Sequence, residues 1–265
     1  MKNIIYIIFL LTFSSCATSP AGRKQLLIIP DSQMNQMGAQ AFTEMKQNNP
    51  PISEASINSY VNCIAIPITK AALSELKIEK WEIVVFKDDS ANAFALPGGK
   101  IGVHSGMLEI AKTSAQLAAV IAHEVGHVIA RHGSERISTQ IAAQGGLAAI
   151  DAFLLGKQNS LQRDAILAGL GLGTQVGILL PHSRTQESEA DLIGLKLMAK
   201  AGFDPRESIM LWENMSAAQQ KKAPPEWLST HPANDTRIEN LRSNMSEAIS
   251  LFEQAKLKGI PTCSR

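Results

Sequence analysis

The sequence predicts an α+β fold that is mostly α, with many helices packed around one small β-sheet. Three observations predict it. Most of the chain beyond residue 30 divides into helix-length segments that begin at capping residues and carry apolar positions at helical spacing. Residues 81–104 are the one region with strand and hairpin chemistry. The chain has 265 residues, enough to bury a sizeable core, and no internal repeat or low-complexity run that would suggest a solenoid or disorder.

The elements follow in order. Asp31 can cap a helix over 31–47, stopped by Asn48-Asn49-Pro50-Pro51. Ser53 can cap a second, with Ile57, Tyr60, Val61 and Ile64 on one face, and Pro67 should kink or end it. Residues 81–86 are rich in β-formers and read as a strand. Residues 92–96 and 100–104 flank Pro97-Gly98-Gly99, which reads as a hairpin turn. Thr113 or Ser114 can cap a long helix to about His132, with Gly133 as its stop. Residues 165–180 carry no charge. They are only sixteen residues with four glycines, so buried or covering helices fit better than a membrane span. Further helices are predicted over 185–201, 205–220 and 234–258, the second capped by Asp204 with Pro205 in its first position.

Composition excludes some functions. Lys plus Arg is 25 and Asp plus Glu is 24, so a bulk basic surface for nucleic acid is absent. Aromatic residues are 5%, too few for base-stacking platforms. Residues 1–15 place Lys2 before an apolar run from Ile4 to Leu11, extended through Phe13, then Ser14 and Ser15. That run is too short to span a bilayer and matches a secretory signal peptide. Small residues ending in Cys16 resemble a bacterial lipobox, with Phe13 a departure from the usual Leu. Cleavage before Cys16 and its acylation are expected, and loss of Lys2 would leave the mature chain formally neutral. Ala17 rather than Asp after the cysteine favours an outer-membrane anchor facing the periplasm. Residues 16–30 read as a lipidated tether, and 31–265 as one domain.

The chemistry-bearing motif is His123-Glu124-Val125-Gly126-His127. Histidines four apart lie one turn apart on one helix face, so both can bind one Zn²⁺. Glu124 can hold water beside the metal and take its proton. The motif sits in an apolar helix, where His-Glu-His without a purpose would be costly to bury. A third ligand is needed. His132 lies five residues past His127, about 140° further round a continuous helix, and reads instead as a cation near the helix C-terminus. Downstream, Glu187 and Asp191 are spaced i, i+4 in Ser183-Arg184-Thr185-Gln186-Glu187-Ser188-Glu189-Ala190-Asp191. Glu187 could ligate, and Asp191 could accept the spare N–H of a ligating histidine. An exposed acidic first turn fits the spacing equally well. His104 and His182 have no metal partner by spacing.

These segments together resemble the HtpX and CAAX-prenyl-protease family of zinc metallopeptidases, in the branch of periplasmic lipoproteins similar to LoiP and BepA. The resemblance rests on H-E-V-G-H-V-I-A-R-H, on S-R-x-x-E-x-x-A-D, on Asn92 to Gly99 leading to Gly106-Met107-Leu108, and on Ser229-Thr230-His231-Pro232 followed by Arg237. It implies one zinc held by His123, His127 and Glu187, Glu124 as general base, and Asp191 supporting the ligands. It makes the strand at Asn92, Ala93 and Phe94 an edge that pairs with an extended peptide beside the active-site helix. It places His231 near the metal, either donating to the developing oxyanion or closing the metal's open position. Arg237 would orient nearby acidic groups. The implied activity is an endopeptidase for misfolded or stalled periplasmic and outer-membrane proteins. The alternative is a non-enzymatic chaperone for outer-membrane proteins that uses the same cleft.

Three cysteines remain to be divided. With Cys16 lipidated, Cys63 and Cys263 either bridge in an oxidising compartment or stay as a buried thiol and a tail thiol.

Overall fold

The computed structural model describes residues 16–76, 78–143, 170, 183–219, 226–232 and 235–265. The expected signal segment 1–15, all of the uncharged stretch 165–180 but Leu170, and His182 lie outside the described residues. The mostly helical α+β expectation holds. A hairpin of β1 (Cys16–Thr18) and β2 (Lys24–Leu26) leads to α1 (Asp31–Asn48) and α2 (Ala55–Ala71), followed by the single turn α3 (Leu73–Leu76). The main sheet is β3 (Glu82–Phe86), β4 (Ala93–Leu96) and β5 (Lys100–His104). Then come α4 (Met107–Ile110), α5 (Ser114–Ile129), α6 (His132–Ala143), α7 (Arg184–Lys200), α8 (Glu207–Gln219), α9 (Trp227–Thr230) and α10 (Asp235–Lys256).

The sheet runs β3-β5-β4, with β5 parallel to β3 and antiparallel to β4, so β4 is an edge. The Pro97-Gly98-Gly99 turn forms where expected, and both glycines have positive φ, 84° and 74°, which a side chain would strain. Strand side chains alternate between faces. Phe86, Phe94 and Leu96 pack against Phe42 and Met34 of α1, while Val85, Ala93, Ala95, Ile101 and Val103 face the core built on α2 and α5. The sheet therefore lies between α1 and the two core helices.

Several sequence expectations are corrected. Asp31 is the first residue of α1 rather than its cap, because Pro30 holds the extended N-cap position. Ser53 does not cap α2; Glu54 occupies that place without a side-chain cap bond. Pro67 sits inside α2, which continues to Ala71. Residues 17–30 are not an extended tether, since they contain the β1–β2 hairpin. That hairpin is pinned by Arg23 to Glu135 and Glu189 and by the buried Gln25, whose Nε2 donates to the Ala130 carbonyl at 2.7 Å. Thr113 caps α5 as expected, accepting from Gln116 N at 3.1 Å. However, α5 ends at Ile129, not His132. Arg131 has φ 57°, a left-handed conformation that breaks the helix and lets α6 begin at His132, so Gly133 is inside a helix and stops nothing. Such a residue costs roughly 1–2 kcal/mol; the Arg131–Asp31 ion pair and the Gln25 bond to the helix-end carbonyl help offset it.

Cys63 and Cys263 are joined by a disulfide across a sequence separation of 200, tying α2 to the chain end. In a chain-entropy view, closing so long a loop is worth roughly 5 kcal/mol, less native strain. Reduction is therefore expected to lower the unfolding midpoint of the folded protein in a denaturant titration. The unreduced protein should show neither residue as a free thiol by alkylation and mass spectrometry.

Candidate metal centre

The site is built where α5 crosses α7. The approach is close because two glycines face the partner backbone. A Cβ on Gly126 would lie 2.9 Å from the Ala190 carbonyl oxygen, and one on Gly194 would lie 2.9 Å from the His123 nitrogen. The Ser183 capping box fixes the start of α7: Ser183 Oγ accepts from Gln186 N while the Gln186 side chain accepts from Ser183 N. Glu187 and Asp191 then fall on the face turned to α5.

His123, His127, Glu187 and His231 bring one ligand atom each within 4.8 Å of one another, and all four residues are buried. His123 Nε2 is 3.0 Å from His127 Nε2 and 3.3 Å from His231 Nδ1. Glu187 oxygens lie 3.5 Å from His123 Nε2, 3.4 Å from His127 Nε2 and 3.1 Å from His231 Nδ1. Zinc–nitrogen distances of about 2.05 Å in a tetrahedron give ligand-to-ligand edges of about 3.3 Å. The donor set therefore fits zinc in both chemistry and spacing, and His231 supplies its fourth corner.

Around this set the charges are compensated. His123 Nδ1 is 2.9 Å from Asp191 Oδ1, too poorly aligned for a good hydrogen bond and so chiefly a charge contact. Arg237, 1% exposed, donates from Nε and Nη2 to the two Asp191 oxygens at 2.7 Å each, and its Nη1 is 2.8 Å from Glu187 Oε2. Burial alone would favour a neutral Glu187, but His231, His123 and Arg237 outweigh it and hold the carboxyl well below the usual range. Asp191 is held down against burial by Arg237 and His123. In the metal-free protein burial opposes a charge on His123, yet Asp191 and Glu187 raise its pKa to about 9.

Glu124 is buried beside the ligands. Trp227 Nε1–H donates to its Oε1 at 2.7 Å, and His231 Nε2 is 3.5 Å from the same oxygen. Trp227 stacks on the His231 ring at 4.8 Å. Sequence reasoning missed Trp227; its place four residues before His231 was the available signal.

It also misread His132. The residue is fully buried beside His127 and Glu189, not a helix-end cation at a C-terminal dipole. The break at Arg131 turns it back so that its Nδ1 lies 2.8 Å from His127 Nδ1, with Nε2 3.1 Å from Glu189 Oε2. Extrapolating an unbroken helix put it on the wrong face. Burial lowers the His132 pKa, and Glu189 is held near 2, against burial, chiefly by its bond with His132.

A cleft of about 290 Å³ opens on the site, walled by Ala93, Phe94 and Ala95 of β4 on one side and by Glu124, His127 and His231 on the other. Asn92 precedes the strand. Its Oδ1 accepts from Ala93 N at 2.9 Å and its Nδ2 donates to Glu226 Oε1 at 3.3 Å. His104, itself buried, instead meets the partly buried Ser90 and Asp88 and is not among the clustered metal donors.

A helix bearing the His123-Glu124-x-x-His127 pair, crossed by a second helix that adds a glutamate, defines a zinc metallopeptidase site. Residues 52–245 match the model of peptidase family M48, and the chain belongs to that family. It is 40% identical over 178 residues to the mitochondrial metalloendopeptidase OMA1 of Schizosaccharomyces pombe, covering 67% of this chain and 50% of that one. The Saccharomyces cerevisiae OMA1 is 35% identical over 221 residues, covering 78% and 60%. The beta-barrel assembly-enhancing protease of Escherichia coli K12 is 28% identical over 226 residues, covering 84% and 46%. The chain thus spans about half the length of these relatives.

Removing Asp191 deprives the buried Arg237 of its bidentate partner. Asp191→Ala is expected to destabilise the metal-free protein by about 3 kcal/mol in a denaturant titration.

Proposed function

We propose that the protein is a zinc-dependent endopeptidase acting on misfolded or stalled proteins of a bacterial envelope. The observation that carries this reading is the buried four-donor group with Glu124 beside it, at the foot of a cleft walled by a sheet edge. Bound there, zinc supplies a Lewis acid for a peptide carbonyl and lowers the pKa of water. The rest is done by the chain's own residues. His123, His127 and Glu187 would hold the ion. Trp227 fixes one oxygen of Glu124, and the carboxylate takes a proton from water and delivers it to the leaving amine.

The β4 edge supports an extended, sequence-tolerant substrate. In the antiparallel ladder Asn92 O accepts from His104 N, so by alternation Ala93 and Ala95 turn their backbone groups outward, toward the cleft. Asn92 positions this edge through its own side chain, and Phe94 anchors it in the core below. His231, in the fourth corner of the donor set, closes the position that a substrate carbonyl needs. We read this arrangement as a latent state in which α9 carries both the plug and the Trp227 that restrains the base. Arg237 holds Glu187 and Asp191 in place from below. An oxyanion role for His231 requires its ring to leave the donor set first.

Localisation follows from other features. A short apolar leader ending in Cys16 supports acylation there, and the Cys63–Cys263 bridge suits an oxidising compartment. An outer-membrane anchor facing the periplasm would place the cleft among exported proteins. No described helix is long and apolar enough to cross a membrane.

Two variants test the reading. Glu124→Gln should keep stoichiometric zinc and lose cleavage of an unfolded protein; cleavage at the wild-type rate would remove Glu124 from the mechanism, and full rescue of cellular function by this variant would favour the chaperone alternative. His231→Ala should raise cleavage by opening the fourth position. A fall of about 100-fold instead would assign His231 to oxyanion stabilisation.

A further inference from the structure

His127 is the one metal-ligating histidine whose far nitrogen meets another imidazole rather than a carboxylate. For Nε2 to offer a lone pair to the metal group, the proton of neutral His127 must sit on Nδ1. That Nδ1 is 2.8 Å from His132 Nδ1, which must then accept. His132 consequently carries its own proton on Nε2, which lies 3.1 Å from Glu189 Oε2 and can donate to that carboxylate. A single tautomer of each ring satisfies the whole row, and the row ends on an acceptor.

Glu189 is held in turn by the N-terminal hairpin. Its Oε1 accepts from Ala21 N at 3.2 Å, and its Oε2 from Arg23 Nε and Nη2 at 3.3 Å each. Arg23 also grips Glu135 at the start of α6, with Nη2 2.7 Å from Oε2. His132 and Glu189 are 0% and 4% exposed, so the bond between them is largely shielded from solvent. The hairpin begins at Cys16 and packs against the chain beside the break at Arg131, where Gln25 reaches the Ala130 carbonyl.

We propose that His132, seated by Glu189 and by Arg23 of the N-terminal hairpin, is a positioning residue that fixes the ring orientation and tautomer of His127 for zinc. The residues that follow Cys16 are, on this account, a structural part of the metal centre.

The test measures zinc affinity of the purified, disulfide-bonded protein by competition with a chromophoric chelator, together with the visible spectrum of the Co²⁺-substituted form. His132→Phe fills the volume without polar atoms and should weaken zinc by roughly 10–100-fold and shift the Co²⁺ bands. His132→Gln presents an amide oxygen toward His127 and an amide N–H toward Glu189, and should recover most of the affinity. Arg23→Ala, at a half-exposed position, should weaken zinc by a smaller factor. Wild-type affinity and an unchanged Co²⁺ spectrum in His132→Phe would overturn the proposal. Should His132→Phe fail to fold by circular dichroism, Glu189→Leu, which removes the acceptor, decides: weaker zinc supports the row, and unchanged affinity sinks it. A wild-type protein that binds no zinc sinks the metal-centre reading itself, a different outcome from normal binding that ignores His132.

Discussion

The close crossing of α5 and α7 is the constraint on which the rest of the structure depends. Gly126 and Gly194 remove the two side chains that would hold the helix backbones apart. Two imidazoles from one helix and two carboxylates from the other then meet, all four of them buried. Such a meeting is stable only if every charge finds an opposite. Arg237 supplies that from α10, reaching both Asp191 and Glu187 while itself almost wholly buried. Its guanidinium also lies over the Trp212 ring at 4.3 Å, so α8 helps to seat it. Packing, charge compensation and metal chemistry are one problem solved at one crossing.

A second layer of control comes from short segments far apart in sequence. The turn α9 delivers Trp227 to Glu124 and His231 to the metal donors, and its Trp227 N donates to the Ala91 carbonyl just before β4. The same small element therefore touches Glu124, the fourth donor position and the chain leading into the open edge strand β4. On the opposite side, the N-terminal hairpin reaches His127 through Glu189 and His132. Movement of either segment would be felt at the metal without any change in α5 or α7.

Much of this was legible in the chain. The i, i+4 histidines in an apolar helix, the glycine turn of the hairpin and the Thr113 cap of α5 are local patterns, because helix geometry and turn sterics act over a few residues. Glu187 and Asp191 were visible as a pair, though an acidic first turn has the same spacing. His132 was misread because the sequence shows no glycine at the break; a left-handed arginine ended the helix, and its cost is offset by partners about a hundred residues away. Glu189 drew no attention for the same reason. The hairpin at 16–26 looked like a tether because three-residue strands leave almost no pattern, and what holds them is Arg23 and Gln25 meeting α6 and the end of α5.

The sequence by itself determined the kind of chemistry: two histidines, a neighbouring glutamate and a downstream carboxylate have few other uses when set in an apolar helix. It also determined the sheet's turn and the presence of the six longer helices outside α6. The tertiary structure decided which cations and anions share the buried site, that His231 closes the donor set, that Cys63 pairs with Cys263, and that His132 belongs with His127. Those outcomes depend on where distant elements come to rest. Long-range contacts reward the fold only after chain entropy has been overcome, and nothing in the local residue pattern records which partner each buried charge will find.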